Sequence, residues 1–307
     1  MPRVRANGTL LEVERFGNED APSVVLINGL GSQLVRWDEQ LCAMLVERGL
    51  HVIRFDNRDV GLSEKIHGGP QPDVRAVIAR GYLGLRQPVV PYTLEDMAMD
   101  TAGLLDALGI RSAHVVGVSM GGMIGQTMAL THGERVRSLS SLMSHTGDRD
   151  PLLSSPRGVR ALLGPRPRNR QQAMEGYLRF SRLAGSPGFP RDEEQIRARA
   201  GRAYDRCFCP EGFVRQMAAI FASGGRASRL RMLRIPTLVL HGKDDPLIRP
   251  RGGVATARAI PDSTLRIVDG WGHDLPRGMW PLLIDTISAH AQRADLQRTG
   301  ARQGRAG

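Results

Sequence analysis

Short apolar runs, mostly β-branched, alternate along this chain with stretches whose apolar residues recur every three or four positions. Ser23–Ile27, His51–Phe55 and Val115–Val118 are apolar almost throughout, which predicts strands buried on both faces. Val136–Met143, Ile235–Leu240 and Thr264–Val268 predict three more strands. At the N-terminus, Val4 precedes Asn7-Gly8 and Leu10–Phe16 alternates, so residues 3–16 predict a β-hairpin. Helical spacing fills the intervals. Trp37, Leu41, Met44 and Leu45 place a helix over about Trp37–Arg48, closed by Gly49. Thr93, with Asp96 three residues on, caps a helix whose face is Leu94, Met97, Leu104, Leu105 and Leu108. Met123, Ile124, Met128 and Leu130 begin another helix. Helices near Gly252–Ala259 and Trp280–Gln292 complete the set. Strands alternating with helices imply an α/β fold: a mainly parallel central sheet, helices on both faces, and function at the C-terminal ends of the strands.

Two stretches break the alternation. Residues 64–92 are rich in Gly and Pro and predict a long surface excursion. Residues 146–234 carry prolines and dense arginine, with helical patches at Ala173–Leu183, Glu193–Tyr204 and Phe213–Ser223 and no convincing strand. An all-helical insertion between two strands is the pattern of a lid over a pocket at the strand ends. The expected organisation is therefore a core over residues 1–145, a helical cap over 146–234, the rest of the core over 235–295, and a disordered tail over 296–307.

Composition narrows the class. The chain has 307 residues, 41% apolar and 24% charged, which suits a globular domain with a full core. No run approaches the ~18 apolar residues of a membrane helix, and the basic N-terminus lacks a signal-peptide core. The expectation is a cytoplasmic protein with no membrane partner. Three cysteines, Cys42, Cys207 and Cys209, are too few and wrongly spaced for a disulfide framework or a zinc site. A net charge of +11 invites a nucleic-acid reading, yet nearly all of it is arginine spread along the chain, without a recognition motif and with only 5% aromatic residues. No nucleic-acid partner is expected. Neither a metal nor a cofactor is expected.

The chemistry gathers at three loops. Gly117-Val118-Ser119-Met120-Gly121 fits G-x-S-x-G between a strand and a helix, the setting of a nucleophile elbow. The alternative is an ordinary strand-to-helix loop that happens to hold a serine. A serine hydroxyl needs a base, and the base an orienting acid. Downstream, His241-Gly242-Lys243-Asp244-Asp245-Pro246 follows one predicted strand and offers carboxylates. Asp269-Gly270-Trp271-Gly272-His273-Asp274 follows the next and offers a histidine. The order Ser, Asp, His is that of the α/β hydrolases. His241 at a strand end reads as structural, and His114 and His132 as structural or surface residues. His145 follows a strand and is a candidate for the pocket wall, with a structural role the alternative.

Ala113–Gly122, Asp56–Ser63, Gly242–Pro246 and Gly270–Leu275 resemble the motifs of α/β-hydrolase fold enzymes with a helical cap. The resemblance implies Ser119 as nucleophile and His273 as base. It selects Asp245 over Asp244, because the family's acid lies three residues after the loop glycine. It implies an oxyanion hole from the backbone N–H of Met120 and of Leu30, where Asn28-Gly29-Leu30-Gly31 resembles the family's His-Gly-x-x loop with Asn28 in place of His. A narrower resemblance, to bacterial polyketide methylesterases of the aclacinomycin methylesterase type, rests on His51–Asp56, Arg58-Asp59, Ala113–Gly117, Ser119–Gly121 and Gly272–Pro276. It implies a serine esterase acting on a small-molecule ester, with methyl or another small alkyl group as the alcohol. A serine at 119 argues against epoxide hydrolases and haloalkane dehalogenases, which use a carboxylate nucleophile. Peptidase, C–C bond hydrolase and perhydrolase chemistries share the triad and stay open, as does a non-catalytic ligand-binding protein on this fold.

Overall fold

A computed structural model describes residues 3–66, 72–85, 89–150, 153–165 and 167–303. Its strands are β1 (Arg3–Ala6), β2 (Thr9–Phe16), β3 (Ser23–Ile27), β4 (His51–Phe55), β5 (Ala113–Val118), β6 (Val136–Leu142), β7 (Thr237–Gly242) and β8 (Thr264–Val268). They join in one sheet in the order β1-β2-β4-β3-β5-β6-β7-β8. The β1–β2 and β2–β4 pairings are antiparallel and the others parallel. Asn7 and Gly8 both take positive φ, as the two-residue turn between twisted strands requires. The helices are α1 (Glu39–Glu47), α2 (Val74–Leu83), α3 (Leu94–Ala107), α4 (Met120–Thr131), α5 (Pro156–Leu162), α6 (Arg170–Ala184), α7 (Glu193–Arg206), α8 (Pro210–Ala222), α9 (Ala227–Leu230), α10 (Pro250–Ala259) and α11 (Trp280–Gln303).

The alternation of side chains along the central strands builds two cores. Val25, Ile27, Val115 and Leu139 point to the face covered by α3 and α4, where Leu94, Met97, Leu104, Met123 and Ile124 meet them. Val24, Leu26, Val52, Val116 and Leu240 point to the other face, against Leu41 and Leu45 of α1 and Leu283, Ile284 and Ile287 of α11. Burying one such side chain contributes ~1.5–3 kcal/mol. Double coverage therefore explains why these strands read as continuous apolar runs. β3 is flanked by β4 on one side and β5 on the other, so chain direction across the sheet reverses between β3 and β5, and a crevice opens at their C-terminal ends.

Several boundaries differ from expectation for identifiable reasons. α1 starts at Glu39 because Asp38 is its cap, accepting from Gln40 N at 3.0 Å. The capping box predicted at Thr93 and Asp96 is present. The excursion over 64–92 contains α2, whose Val77 and Ile78 bury against Met217 and Ala218 of α8. Tertiary contact supports that helix where local composition argued against one. Residues 67–71 and 86–88 of the stretch lie outside the described residues. α11 runs past the predicted end at Gln292, into the expected tail, as far as Gln303. Ala291 and Ala294 bury there, and Asp295 pairs with Arg137. The last four residues lie outside the described ones. Between β6 and β7 the described residues hold α5 to α9 and no strand. No helix among the described residues is long and apolar enough to cross a membrane.

His290 of α11 gives the fold a pH signature. Its Nε2 donates to the Pro236 carbonyl at 3.2 Å, and burial pushes its imidazole down from 6.5 to about 4. Above about pH 6.5 the folded and unfolded chains both carry a neutral ring. Between that pH and 4 the unfolded chain takes up the proton first, which penalises folding. Wild type should therefore lose stability relative to His290→Gln, by up to about 3 kcal/mol, as pH falls from 6.5 to 4. Denaturant melts of both proteins across that range check this. A constant gap contradicts it.

Candidate active site

Ser119 stands between β5 and α4 with φ 55° and ψ −118°, in the left-handed half of conformational space. A non-glycine residue stays there only when its surroundings leave it no alternative. The flanking glycines show why. A Cβ on Gly117 would lie 2.1 Å from the Gly121 carbonyl oxygen, and one on Gly121 would lie 2.1 Å from the Ile27 carbonyl oxygen. Sheet and helix approach so closely at this point that a side chain at either position is excluded. The turn is also hydrogen-bonded to β6: Ser119 N–H donates to the Leu142 carbonyl at 2.9 Å, and Ser144 Oγ donates to the Ser119 carbonyl at 2.8 Å.

The loop after β3 lies against this turn. A Cβ on Gly29 would be 3.3 Å from Ser119 Cβ. Asn28 is buried and braces the loop, its amide donating to the Phe55 carbonyl at 3.3 Å while its own carbonyl accepts from Asn57 at 3.1 Å. Gly31 N–H donates to Gln216 Oε1 at 2.8 Å. The backbone N–H groups of Leu30 and Met120 donate to no acceptor among the described residues. For Met120, first residue of α4, that is the ordinary state of a helix N-terminus.

His273 and Asp245 arrive on loops from the other half of the sheet. His273 Nε2 is 3.1 Å from Ser119 Oγ, and its Nδ1 is 2.6 Å from Asp245 Oδ2. The second oxygen of Asp245 accepts from the N–H groups of Leu247 and Ile248, each at 2.9 Å, so the carboxylate is held by three donors. Asp244 instead is exposed and accepts from Gly270 N–H at 2.8 Å, a loop-bracing bond away from His273. His241 is buried, and its Nε2 donates to the Ile248 carbonyl at 2.7 Å, which supports the Asp245 loop. Burial lowers its affinity for a proton. His114 bonds Ser138 at 2.9 Å and His132 bonds Thr131 at 2.8 Å. The structure thus brings Ser119, His273 and Asp245 into one hydrogen-bonded line, with Leu30 and Met120 at the turn, and leaves His241, His114 and His132 in structural contacts. Among the described residues no cluster of His, Cys, Asp or Glu is arranged to hold a metal.

The helical segment between β6 and β7 is fastened to this site in two places. Beside His273, its N–H donates to the Ala184 carbonyl at 2.6 Å, Gly188 N–H donates to the Gly270 carbonyl at 2.9 Å, and Ser186 Oγ accepts from Gly272 N–H at 3.0 Å while donating to Asp274. Beside the Leu30 loop, buried ion pairs join the loop after β4 to α7 and α8. Asp56 meets Arg206 at 3.0 Å, and Asp59 takes a two-pronged contact from Arg215 at 2.8 Å. Burial pushes Asp56 up despite Arg206 and the Leu34 and Leu62 N–H groups. Asp59 is also buried, yet the Arg215 fork and the Ile66 N–H hold it below the usual carboxylate range. Ser186, Ser144 and Gln216 are contributors that sequence reasoning missed. No local motif marks them, since each acts by reaching a backbone atom distant in sequence.

A mainly parallel sheet with a strained serine turn, a histidine and a buried carboxylate at its C-terminal edge defines the hydrolase class of α/β proteins. Residues 22–276 match the α/β hydrolase fold family, and the chain belongs to it. It is 27% identical to rhodomycin D methylesterase DnrP of Streptomyces peucetius, across 90% of this chain and 93% of the relative. It is 25% identical to 3-oxoadipate enol-lactonase 2 of Acinetobacter baylyi, across 86% of each. Among solved structures, the enol-lactonase from Burkholderia xenovorans superposes with a TM-score of 0.70 at 24% identity, covering 95% of this chain and all of the other, a likeness of fold.

The Asp59–Arg215 pair supplies a test of how firmly the helical segment is held. Both side chains are at most 4% exposed, so Arg215→Met leaves a buried, uncompensated carboxylate. The expected loss is about 3–5 kcal/mol of stability, partly recovered in the double variant Asp59→Asn/Arg215→Met. Urea denaturation of the three variants measures it. A loss under about 1 kcal/mol contradicts the pairing.

Proposed function

We propose that the protein is a serine hydrolase that cleaves a small-molecule carboxylic ester, using Ser119, His273 and Asp245. The observation that carries this reading is the position of His273, which bridges Ser119 Oγ at 3.1 Å and Asp245 Oδ2 at 2.6 Å. Asp245 accepts from Nδ1–H and so fixes the tautomer in which Nε2 is a base. Nε2 takes the Ser119 proton as Oγ attacks the ester carbonyl. Charge then builds on the carbonyl oxygen, and the N–H groups of Leu30 and Met120 receive it. Collapse of the tetrahedral species expels the alcohol, protonated by His273, and leaves an acyl group on Ser119. Water, deprotonated by His273, attacks the acyl carbonyl, and the acid departs with Oγ–H restored. Each step uses groups already held in place, so little reorganisation accompanies the charge movement.

A small alcohol, with methyl the leading case, is supported by the likeness to a protein named as a methylesterase over nearly the whole of both chains. The likeness to an enol-lactonase keeps the chemistry an ester cleavage while widening the range of acyl groups. Residues 146–234 form the cap in this reading, because Gln216 and Ser186 within it bond the Leu30 and His273 loops.

Wild type should hydrolyse p-nitrophenyl acetate or butyrate, and Ser119→Ala should not. Asp245→Asn should lower kcat by about 10³–10⁴ because it offers His273 the wrong hydrogen-bond partner, whereas Asp244→Asn should change it less than about threefold. Steady-state kinetics on the four proteins check this. A severe defect in Asp244→Asn and none in Asp245→Asn would overturn the choice of acid. No turnover across a broad ester panel, with tight binding of a small ligand, would instead support a ligand-binding protein.

A further inference from the structure

One imidazole at this end of the sheet takes part in none of the steps above. β6 lies beside β5, with Leu142 paired to Val118. The next residue, Met143, is buried and has φ 41°, held there as its N–H donates to the Leu240 carbonyl at 2.8 Å. Like Ser119, Met143 holds a positive φ that non-glycine residues seldom adopt. Two adjacent strands thus end in forced turns. The first presents Ser119. The second presents Ser144, which bonds the Ser119 carbonyl, and then His145.

The hydrogen bonds of His145 define its state. Gly147 N–H donates to Nδ1 at 3.0 Å, so Nδ1 is the acceptor and the proton sits on Nε2. Nε2 has no partner among the described residues, and the residue is only partly buried, whereas His51, His114 and His241 are fully enclosed. Protein packs against the residue on two sides. A Cβ on Gly252 would come within 3.1 Å of the His145 Cβ, and Arg226 donates to the His145 carbonyl at 3.2 Å. Burial, and then the charge of Arg226, push the imidazole down to about 3, with His241 and His273 also within electrostatic reach. A partly buried ring with one unpartnered nitrogen thus stands at the end of the sheet where Ser119 and His273 meet.

We propose that His145 is a specificity residue, an uncharged Nε2–H donor in the substrate cavity that selects esters carrying a hydroxyl or carbonyl oxygen close to the ester group, on the acyl or the alcohol side. The proposal rests on the serine-esterase reading. A fixed, partly buried donor discriminates because an isostere without the acceptor leaves it unpaired. A cavity lined only by apolar groups makes no such distinction.

Two isosteric pairs test it: methyl β-hydroxybutyrate against methyl isovalerate, and β-hydroxypropyl acetate against isobutyl acetate. In at least one pair, wild type should favour the hydroxy ester by about tenfold or more in kcat/KM, chiefly through KM. His145→Leu should abolish that ratio, and His145→Gln, whose amide keeps an N–H donor, should retain part of it. The absence of a preference in both pairs, or a preference that survives His145→Leu, overturns the proposal. Wild-type ratios and the Gln variant decide the matter even if the Leu variant fails to fold. Failure of the esterase reading itself would show separately, as no wild-type turnover of p-nitrophenyl acetate.

Discussion

The close approach of β5 to α4 is the constraint on which the rest of the site depends. With the Gly121 carbonyl where a Gly117 Cβ would go, and the Ile27 carbonyl where a Gly121 Cβ would go, the chain has one way to pass from strand to helix. That path forces Ser119 to φ 55° and turns its side chain out of the sheet's end. It also puts the first, unpaired N–H of α4 beside the serine. A candidate nucleophile and a candidate oxyanion donor thus come from one piece of backbone geometry. The neighbouring turn at Met143 repeats the device one strand away.

The remaining parts are held by hydrogen bonds that cross between distant segments. Asp245 is fixed by two N–H groups of its own loop before it meets His273. The His273 loop is in turn stitched to the end of α6 through Ala184 and to the segment after it through Ser186 and Gly188. The Leu30 loop is stitched to α8 through Gln216. The helical segment is therefore part of the scaffold that orients the histidine. The buried pairs at Asp56 and Asp59 reinforce this attachment on the opposite flank.

Most of the sheet was legible in the sequence because parallel strands buried on both faces leave an unbroken apolar run, as at Ser23–Ile27. The three loops that meet at Ser119, Asp245 and His273 were legible for a related reason. The Ser119 and Asp245 loops each follow such a strand, the His273 loop follows the exposed edge strand β8, and their order along the chain matched one arrangement. What escaped was decided by tertiary contact. α2 forms because Val77 and Ile78 bury against α8, and α11 continues because Ala291, Ala294 and Asp295 find partners on the core. Ser186 and Gln216 escaped because their partners lie 86 and 185 residues away, a separation that no local pattern encodes. His145 was a candidate for the pocket wall only because it follows a strand. The bond from Gly147 and the strained Met143 define its orientation, and neither is visible in composition.

The central claim is that Ser119 is the atom to which the acyl group is transferred. Its most direct test is mass spectrometry on protein quenched in acid during turnover of a slowly deacylated p-nitrophenyl ester. The predicted result is one acyl mass per chain, carried on the peptide that contains Ser119. No adduct at early times despite rapid release of p-nitrophenol, or an adduct on any other residue, would contradict it.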